Sequence, residues 1–532
     1  MLALVLLALA LRIFGVTQGL PHPTARPDER ETLAPLAFFG VGDLNPHWFI
    51  YPPLYFYVLS AWIALGFLVH RPDPLAPTYA DMLAQNLPTL ILYGRTLSVA
   101  AGAATVAVVW WLGGRIGGLS CAATAGLLVA VDFLHVRDSH WIKPDVLLGL
   151  VFLLSLERLA AFVRAPSGRN ALVAGACIGI ATGIKYNGIL LVLPAFVACV
   201  MVAPRPGLAA LVPHRHVFTI ALAAAAAFFA TCPYVLLDPA RVRHDLTVVA
   251  FSSFATRPDA APPAGAGWLD RAALFVRSRA FAYHAEVSLR QGCGLLFALV
   301  TPPAVVLAAT CRREPFLLLA GVFVVFYGLV IGASPVHLAR YFTPIVPLLA
   351  LLIAFLVSRL AARIAPRRQG VTAAIAAVLL SAEPAARSLA HDRLAARTDT
   401  RVLATRWMAE HLPPSSVVAI VGSPLFPIAD PELPPGRRRA PNGLRPEQFS
   451  GAGVTHVVTH WHHQLTAFSH IDPALMAALA PRLRLLAEFT PYREGPAGQF
   501  EVQDAYYVPM FDLGGVERPG PLVRVYAYEP AS

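Results

Sequence analysis

Long apolar runs alternate with short polar connections along most of the chain. Each run approaches the ~20 residues that an α-helix needs to cross a bilayer. Because backbone groups in lipid must be hydrogen-bonded within their own segment, the runs are predicted to be membrane-spanning helices. The predicted spans cover residues 1–16, 90–113, 118–134, 145–163, 171–184, 188–203, 217–236, 292–311, 315–332, 342–359 and 370–388.

A twelfth apolar run, YPPLYFYVLSAWIALGFLV at 51–69, is predicted to lie along or dip into the outer interface. The reason is the distribution of basic residues, because cytoplasmic loops of membrane proteins are rich in Lys and Arg. If this run does not cross, the opposite, outer short loops hold only Arg137, Lys143, Lys185 and Arg340. The cytoplasmic short loops then collect eleven arginines: Arg115, Arg164, Arg169, Arg205, Arg215, Arg312, Arg313, Arg359, Arg363, Arg367 and Arg368. The pattern predicts eleven spans with a cytoplasmic N-terminus.

The residues after about 389 are predicted to form a small α/β domain on the outer face. TDTRVLATRWMAEHL has helical periodicity, while SVVAIV and VTHVVTH are typical of short buried strands. PALMAALAPRLRLLAEF is predicted to be a second amphipathic helix. The stretch PELPPGRRRAPNG is predicted to be an exposed loop, because proline and glycine interrupt regular structure.

Composition agrees with a membrane protein and excludes several other classes. Of the 532 residues, 57% are hydrophobic and 14% are charged, and mean hydropathy is +0.60. The net charge of +11 is attributed to loops that set insertion topology, so no nucleic-acid partner is expected. The six cysteines include no CxxC pair, which favours inert buried thiols over a metal site or disulfides. The opening residues are interpreted as an uncleaved first helix, and the true start could lie upstream.

The chain contains only two lysines among its 42 basic residues, and both stand in short connections between apolar runs. Lys143 lies in HVRDSHWIKPDV and Lys185 in GIKYNG. A lysine ammonium is a compact point charge suited to a phosphate. The candidate phosphate-binding cations are Lys143, Lys185, Arg340, Arg95 and Arg137. The alternative for the arginines is snorkelling to the lipid headgroups, and for the whole cluster it is contact with lipid phosphates.

Three carboxylates on the predicted outer face are candidates for catalysis. Asp28 and Glu29 begin a short helix after the first span, and Asp145 follows Pro144 at the start of another. Helix capping is the structural alternative for all three. A carboxylate beside the aromatic stretch Trp48–Tyr57 suits proton abstraction from a polar substrate carried on a lipid. His460, His462 and His463 lack the HExxH pattern or cysteine partners, so no metal site is predicted there.

Several segments of the sequence resemble those of the GT-C superfamily of membrane glycosyltransferases. Enzymes of this superfamily use lipid-phosphate-linked sugars, and they include protein O-mannosyltransferases and the aminoarabinose transferase of lipid A. The segments that carry the resemblance lie along most of the chain: RPDE, GDLNPHWFIYPPLYFY, GRTLS, LHVRDSHWIKPDV, GIATGIKYNGILL, ARYFTPIVPLLALL, DTRVLATRWMAEHLPP and QDAYYVPMFDLGGVERPGP. The resemblance implies an α-helical multi-pass catalytic domain at 1–388, with outer loops at 17–89 and 237–291. It also implies an extracytoplasmic α/β domain at 389–532.

The resemblance further implies an inverting transfer of a sugar from a polyprenyl-phosphate donor to a hydroxyl or amine. Asp28 matches the family's proposed base, Glu29 its neighbour, and Asp145 the acid of the second outer loop. The aminoarabinose transferase has a lysine where this chain has Tyr51, so other cations must contact the phosphate. The expected substrate pocket comprises His47, Tyr51, His140, Tyr186, Asn187 and Tyr341.

Several properties stay open in the sequence. The acceptor could be a protein, a lipid or a glycan, and membrane lipids are the other expected partners. No cofactor is certain, because the family has both metal-requiring and metal-independent members and the chain has no DxD motif. A transporter or flippase is the first alternative, although no internal repeat supports it. The second is a non-catalytic envelope sensor or assembly subunit, in which Asp28 would only cap a helix.

Overall fold

The computed structural model describes residues 1–70, 81, 86–203, 215–254, 279–422, 429–501 and 506–530. The chain forms two compact units, and each is described by itself. The first unit comprises Met1–Ile13, Thr32–Asn86 and Tyr93–Ser388. The second comprises Phe14–Glu31, Leu87–Leu92 and Leu389–Ser532.

Every apolar run that was predicted to span the membrane is helical, which confirms the helical class. The long helices are Leu2–Ile13, Pro53–His70, Leu87–Val131, Asp145–Arg164, Gly168–Ile184, Val192–Met201, Arg215–Thr231, Leu295–Ala309, Pro315–Gly332, Val346–Ile364 and Gln369–Ala395. Shorter α-helices are Pro27–Leu33, Leu36–Gly40, Phe133–Asp138, Tyr234–Leu237, Pro239–Phe254 and Phe281–Tyr283, the last continuing as a π-helix over His284–Gln291. Short 3₁₀ turns cover Tyr186–Leu191, Ala339–Tyr341, Thr343–Ile345 and Pro366–Arg368.

Helix length and composition identify the described segments that can cross a bilayer unaided. Five qualify, and a sixth does if Phe281–Gln291 and Leu295–Thr310, bent by 117°, form one span. Five further apolar helices have 10–17 residues. The 45-residue stretch Leu87–Val131 contains two predicted spans and is broken at Gly117 and Gly118. Gly118 has φ +73°, which glycine adopts without steric cost. The chain is therefore a membrane protein, while the number of eleven spans and their orientation stay predictions.

Close helix packing in the first unit uses small residues. A Cβ atom at Gly179 would lie 2.3 Å from the backbone oxygen of Ala224, and one at Gly175 would lie 2.4 Å from that of Ile220. Helices approach this closely in membranes where small side chains line the interface, since van der Waals contact is the main attraction there. The glycines therefore fix Gly168–Ile184 against Arg215–Thr231, and with it the turn that follows the first of these helices.

The second unit contains a five-stranded mixed sheet, which confirms the predicted small α/β domain. Its strands are β1 (Val417–Val421), β2 (Arg438–Arg439), β3 (His456–Trp461), β4 (Leu483–Phe489) and β5 (Leu522–Tyr528). The order is β2-β1-β3-β5-β4, in which β1 is parallel to β2 and β3, and β5 is antiparallel to β3 and β4. The predicted helix Thr400–His411 is capped by the Asp399 side chain and packs Met408 against buried valines of β1, β3 and β5.

Two expectations for this unit need correction. The amphipathic helix predicted over PALMAALAPRLRLLAEF is wrong in its second half, because the helix ends at Leu479 and the chain becomes β4 after a short turn. Pro481 lacks a backbone N–H and cannot continue the helix, whereas the following residues satisfy their backbone groups by pairing with β5. Within the predicted exposed loop PELPPGRRRAPNG, the exposed residues Arg438–Arg439 add a two-residue edge strand.

Candidate active site

A sharp turn between two helices positions Lys185. Helix Gly168–Ile184 ends at Lys185, whose backbone is extended, and the 3₁₀ turn Tyr186–Leu191 follows directly. A Cβ atom at Gly188 would lie 2.2 Å from the carbonyl carbon of Ala181 and the backbone nitrogen of Thr182. Since no side chain fits at that distance, only glycine permits the turn. Asn187, predicted to line the substrate pocket, lies within the same turn and is half-buried.

Lys185 and Asp145 form a buried ion pair in the first unit. Lys185 Nζ lies 2.5 Å from Asp145 Oδ1, and the two residues are 6% and 0% exposed. Asp145 stands in the first turn of helix Asp145–Arg164, directly after Pro144, as predicted. The ammonium also lies 4.8 Å from the ring centroid of Tyr341, another residue predicted for the pocket. The structure therefore brings together one predicted acid, one predicted cation and one predicted pocket residue.

The second oxygen of Asp145 keeps its accepting capacity. Among the residues that the structure describes, Asp145 Oδ2 is buried without a hydrogen-bond partner. Leaving a buried charged oxygen unsatisfied is costly, so such an atom is a natural acceptor for a hydroxyl or N–H of a bound molecule. A divalent cation would be repelled by the Lys185 ammonium beside this carboxylate. The pair as it stands therefore offers a hydrogen-bond acceptor at Oδ2 more readily than a metal ligand.

Lys143, the other lysine of the chain, contacts Tyr51. Tyr51 stands where the aminoarabinose transferase has a lysine. Lys143 is 5% exposed, and its ammonium lies 3.4 Å from the Tyr51 hydroxyl oxygen and 5.7 Å from the ring centroid. Tyr51 belongs to the aromatic stretch Trp48–Tyr57, where its ring contacts those of Trp48, Tyr55 and Phe56. Lys143 therefore places a positive charge next to position 51.

The remaining candidates of the stretch HVRDSHWIKPDV have strong structural contacts. The Arg137 guanidinium is buried, stacks 4.4 Å from the Trp141 ring centroid and lies 3.4 Å from Asp138 Oδ1. Asp138 in turn accepts a hydrogen bond from Thr343, just after the 3₁₀ turn that carries Arg340.

His140 and Arg95 are also buried in the first unit. His140 Nε2 lies 3.2 Å from the backbone oxygen of Leu11. Arg95 is buried within helix Leu87–Val131. His140 thus contacts the first helix of the chain. This structural contact was not part of the prediction, which placed His140 in the substrate pocket.

The segment before Tyr51 is tied to helix Pro239–Phe254. Asp245 Oδ2 accepts a hydrogen bond from the Phe49 backbone N–H at 2.8 Å, and the Phe49 backbone oxygen accepts one from the Tyr186 hydroxyl at 3.1 Å. His47 has φ +49° and its Nε2 lies 2.7 Å from Asp43 Oδ2. That contact with His47 is the main reason why the pKa of Asp43 is lowered. The segment therefore links two predicted pocket residues, Tyr51 and Tyr186.

Asp28 and Glu29 lie in the second unit, at the start of the short helix Pro27–Leu33. Asp28 Oδ1 accepts a hydrogen bond of 3.0 Å from the hydroxyl of Tyr506, a residue 478 positions later in the chain. The Arg26 guanidinium lies 4.5 Å from the centroid of the same tyrosine ring. Glu29 is fully buried. The structure therefore places the predicted base within the unit that holds the C-terminal sheet.

Arg401 fixes the segment that leads to Asp28. Its guanidinium makes two hydrogen bonds to Asp399, of 3.0 and 2.9 Å, and donates a third of 3.3 Å to the Thr24 backbone oxygen. Burial alone would raise the pKa of Asp399, but the charge and hydrogen bonds of Arg401 hold it below its ordinary value. His22 Nε2 lies 2.9 Å from the Asp430 backbone oxygen, and burial followed by the Arg401 charge lowers the pKa of His22 to about 3.

The histidine run on β3 is built into the domain core. His460 lies between Asp430 (2.8 Å) and Ser469 (2.9 Å), and His462 Nδ1 accepts hydrogen bonds from the backbone N–H groups of Gln464 and Leu465. His463 Nδ1 lies 2.8 Å from the Tyr492 hydroxyl oxygen. The Asp430–His460–Ser469 order resembles a hydrolase triad, but all three side chains are buried. The hydrogen bonds of the three histidines therefore form a structural network.

Two residues that sequence reasoning did not select make important contacts. Arg12 is fully buried and donates hydrogen bonds to the backbone oxygens of Ala8, Ala130 and Val129, near the end of helix Leu87–Val131. A charge inside an apolar run was the signal available for this residue. Tyr506 was missed because nothing in its local sequence indicates a contact with Asp28.

Comparison with known proteins supports the class indicated by this fold. A family model described as dolichyl-phosphate-mannose-protein mannosyltransferase matches residues 89–252, which include Lys143, Asp145 and Lys185. A crystal structure of ArnT from Cupriavidus metallidurans bound to undecaprenyl phosphate has a TM-score of 0.53 and 16% identity, covering 98% of this chain and 97% of that chain. A crystal structure of the oligosaccharyltransferase of Archaeoglobus fulgidus, in complex with Zn and sulfate, has a TM-score of 0.53 and 10% identity, covering 99% and 88%. No curated protein sequence matches the chain.

These matches settle the class and the fold. At such low identities the solved structures show the fold alone, and they confirm the predicted GT-C architecture with its small C-terminal sheet domain. The family model confirms the predicted resemblance and the prediction of a membrane glycosyltransferase, in preference to a transporter or a sensor.

Proposed function

We propose that this protein is an inverting glycosyltransferase that moves a sugar from a polyprenyl-phosphate carrier to a hydroxyl or amine of an acceptor. The observation that carries the proposal is the buried Lys185–Asp145 pair inside the region matched by the mannosyltransferase family model. A similar solved structure, that of ArnT, was determined with undecaprenyl phosphate bound. The donor class proposed here is therefore a lipid phosphate linked to a sugar.

The donor phosphate is assigned to the buried cations of the first unit. Lys185, Lys143 and Arg340 are each at most 9% exposed, and Lys143 lies beside Tyr51. Preorganised positive charge stabilises the negative charge that develops on a leaving phosphate, and it does so most strongly where water is excluded. Arg95 and Arg137, which are also buried in the first unit, are proposed to contribute positive charge to the same phosphate site.

The sugar is assigned to the pocket around Asp145. Its unpaired Oδ2 accepts a hydrogen bond from a sugar hydroxyl, while Oδ1 stays with Lys185. The residues proposed to line this pocket are His47, Tyr51, His140, Tyr186, Asn187 and Tyr341. The structural evidence for these residues differs in strength. Tyr341 is well supported because its ring packs on Lys185, whereas His140 is less well supported because it contacts the backbone oxygen of Leu11.

Asp28 is proposed to be the base and Glu29 to assist it. A lone pair of the acceptor oxygen or nitrogen forms a bond to the anomeric carbon from the face opposite the phosphate. The bond from this carbon to the phosphate oxygen breaks, and its electron pair leaves with the polyprenyl phosphate. The acceptor proton passes to the Asp28 carboxylate. One displacement inverts the anomeric configuration, and no covalent sugar–enzyme intermediate is needed.

The reaction is proposed to occur on the outer face of the plasma membrane. The distribution of arginines supports this side, because it places eleven of them in short cytoplasmic loops. The proposed division is a transmembrane catalytic domain over 1–388 and an extracytoplasmic domain over 389–532. The acceptor is a protein, a lipid or a glycan that reaches this face.

The assignment of Lys185 can be tested with purified protein in lipid and a panel of radiolabelled polyprenyl-phosphate sugars. Wild type should transfer or release the sugar of at least one donor. Lys185→Ala should raise the KM for that donor at least tenfold while leaving the KM for the acceptor unchanged. His411→Ala, an exposed substitution in the C-terminal domain, is the matched control and should behave as wild type. Equal donor dependence in Lys185→Ala and wild type would remove Lys185 from the phosphate site.

A further inference from the structure

We propose that Tyr506 is a positioning residue for Asp28, so that the C-terminal sequence contributes directly to the reacting site. The inference rests on the proposed function, in which the Asp28 carboxylate is the base. It assigns a catalytic task to a part of the chain outside the region that the family model matches, which ends at residue 252.

The contact itself is well formed, and its tyrosine is buried. The Tyr506 hydroxyl donates a hydrogen bond of 3.0 Å to Asp28 Oδ1, and Tyr506 is 8% exposed. The Arg26 guanidinium covers the tyrosine ring at 4.5 Å from its centroid. Hydrogen bonds to a charged group are about twice as strong as those between neutral groups. The phenol therefore restrains the orientation of the Asp28 carboxylate.

The backbone at Tyr506 is in an unfavourable conformation. Tyr506 has φ +40° and Tyr507 has φ +68°. Bulky residues rarely adopt positive φ, and such strain persists only where the surroundings enforce it. Strained residues concentrate at functional sites, because the strain holds a side chain where chemistry needs it. Here the strained pair presents one tyrosine to Asp28 and the other to the domain interior.

Tyr507 shows how the strained pair is enforced. Its hydroxyl oxygen lies 2.5 Å from Ser469 Oγ, and the Arg401 guanidinium lies 4.8 Å from its ring centroid. The same guanidinium donates to the Thr24 backbone oxygen, four residues before Asp28. Arg401 thus holds both the segment that carries Asp28 and the segment that carries Tyr506. This common anchor keeps the two side chains in register.

The chemical consequence is orientation of the base. An ionised carboxylate has two oxygens and about four lone-pair sites, so a hydrogen bond at Oδ1 is compatible with proton uptake by the same group. Fixing the carboxylate against rotation keeps it near the line of the acceptor O–H or N–H bond. Misplacing a reacting group by about 1 Å can cost on the order of 100-fold in rate. A positioning role predicts a loss in kcat with little change in KM.

The test compares full-length variants in lipid under saturating donor and acceptor. Tyr506→Phe removes the hydroxyl and keeps the ring, so kcat should fall about 10- to 100-fold with both KM values unchanged. Tyr528→Phe is the matched control, because it removes the hydroxyl of another buried tyrosine of the second unit, one that lies 3.2 Å from Ser450 Oγ and does not contact Asp28. It should lower the Tm and leave kcat unchanged. A Tyr506→Phe variant with wild-type kcat would overturn the inference.

A double-mutant cycle separates this inference from the proposed function. In Asp28→Glu, whose longer side chain displaces the carboxylate, adding Tyr506→Phe should cause no further loss of kcat. The same 10- to 100-fold loss in both backgrounds would show that Tyr506 acts independently of Asp28, and would also overturn the inference. If Asp28→Asn retains wild-type turnover, Asp28 is not the base and the proposed function itself fails. If Asp28→Asn is inactive and Tyr506→Phe fully active, only the positioning role fails.

Discussion

Lys185 Nζ and Asp145 Oδ1 lie 2.5 Å apart, and both residues are almost completely buried. The carboxylate begins one helix and the lysine closes the next, so the pair joins two positions that are 40 residues apart in sequence. Burying a charge is tolerated only where an opposite charge or hydrogen bonds compensate it. The pair therefore stabilises the first unit and also leaves one carboxylate oxygen for a ligand.

Removing one partner of this pair should destabilise the protein more than removing both. Asp145→Leu leaves a buried ammonium without its counter-charge, which costs about 3–5 kcal/mol. The double variant Asp145→Leu/Lys185→Met should recover much of that loss, because no uncompensated charge remains. Thermal unfolding in detergent measures the difference as a higher Tm for the double variant. A double variant no more stable than Asp145→Leu would show that the pair does not act as a unit.

The turn at Gly188 should not accept alanine. The added Cβ would overlap the backbone of Ala181 and Thr182, and such overpacking costs about 1–3 kcal/mol. The Tm of Gly188→Ala should fall, and donor KM should rise because Lys185 moves with the turn. Gly328→Ala is the control, since a Cβ atom there has no neighbour within 4 Å among the described residues. Equal Tm values for wild type and Gly188→Ala would contradict the geometry of the turn.

Arg401 should matter for activity although it lies far from Asp28 in sequence. Arg401→Met leaves Asp399 buried without its charged partner and releases the backbone oxygen of Thr24. We expect a loss of about 3–5 kcal/mol in the stability of the second unit, together with a lower kcat. Tm and kcat can be measured on the same preparation. The exposed Arg484→Met should change neither, because its ion pair with Glu529 is at the surface.

The second unit should lose stability in mild acid. Burial, with the Arg401 charge, lowers the pKa of His22 to about 3, and burial, with His463, lowers that of His462 to about 3. The ordinary value of 6.5 applies in the unfolded chain, so between pH 3 and 6.5 the unfolded state binds more protons. Stability is therefore complete above pH 6.5 and falls as pH decreases towards 3. Each histidine contributes a slope of up to about 1.4 kcal/mol per pH unit.

Variants identify the groups responsible for that pH dependence. His22→Gln should flatten the fall in Tm between pH 6.5 and 5, because the proton-binding difference of His22 is removed. His470→Gln, at an exposed position, should leave the fall unchanged. An identical pH dependence of Tm in wild type, His22→Gln and a His462→Gln variant would contradict this account.

The sequence was sufficient for features that depend on periodicity and local chemistry. Apolar runs predicted the helices, and Pro144 with Asp145 predicted a helix start. Buried strands β1 and β3 followed from short runs of β-branched residues. The stretch RLRLLAEF was misassigned because its apolar residues fit a helix as well as a strand, and pairing with β5 decided between them.

Contacts between distant segments could not be predicted in the same way. Lys143 and Tyr51 are 92 residues apart, and no local pattern joins them. Tyr506 and Asp28 are 478 positions apart, so their contact depends on the tertiary fold. The ion pair of Lys185 with Asp145 could likewise not be predicted from the sequence, although each residue was selected individually as a site candidate. Residue type and flanking turns identify candidates, whereas tertiary packing decides their partners.

The most direct test of the account is sugar transfer by wild type beside Asp28→Asn and Asp145→Asn, in lipid with radiolabelled polyprenyl-phosphate sugars. The account predicts transfer by wild type with inverted configuration at the anomeric carbon. It also predicts at least a 100-fold lower rate in Asp28→Asn, and a higher donor KM in Asp145→Asn. Transfer at the wild-type rate by Asp28→Asn, or a product with retained configuration, would contradict the proposed single displacement with Asp28 as its base.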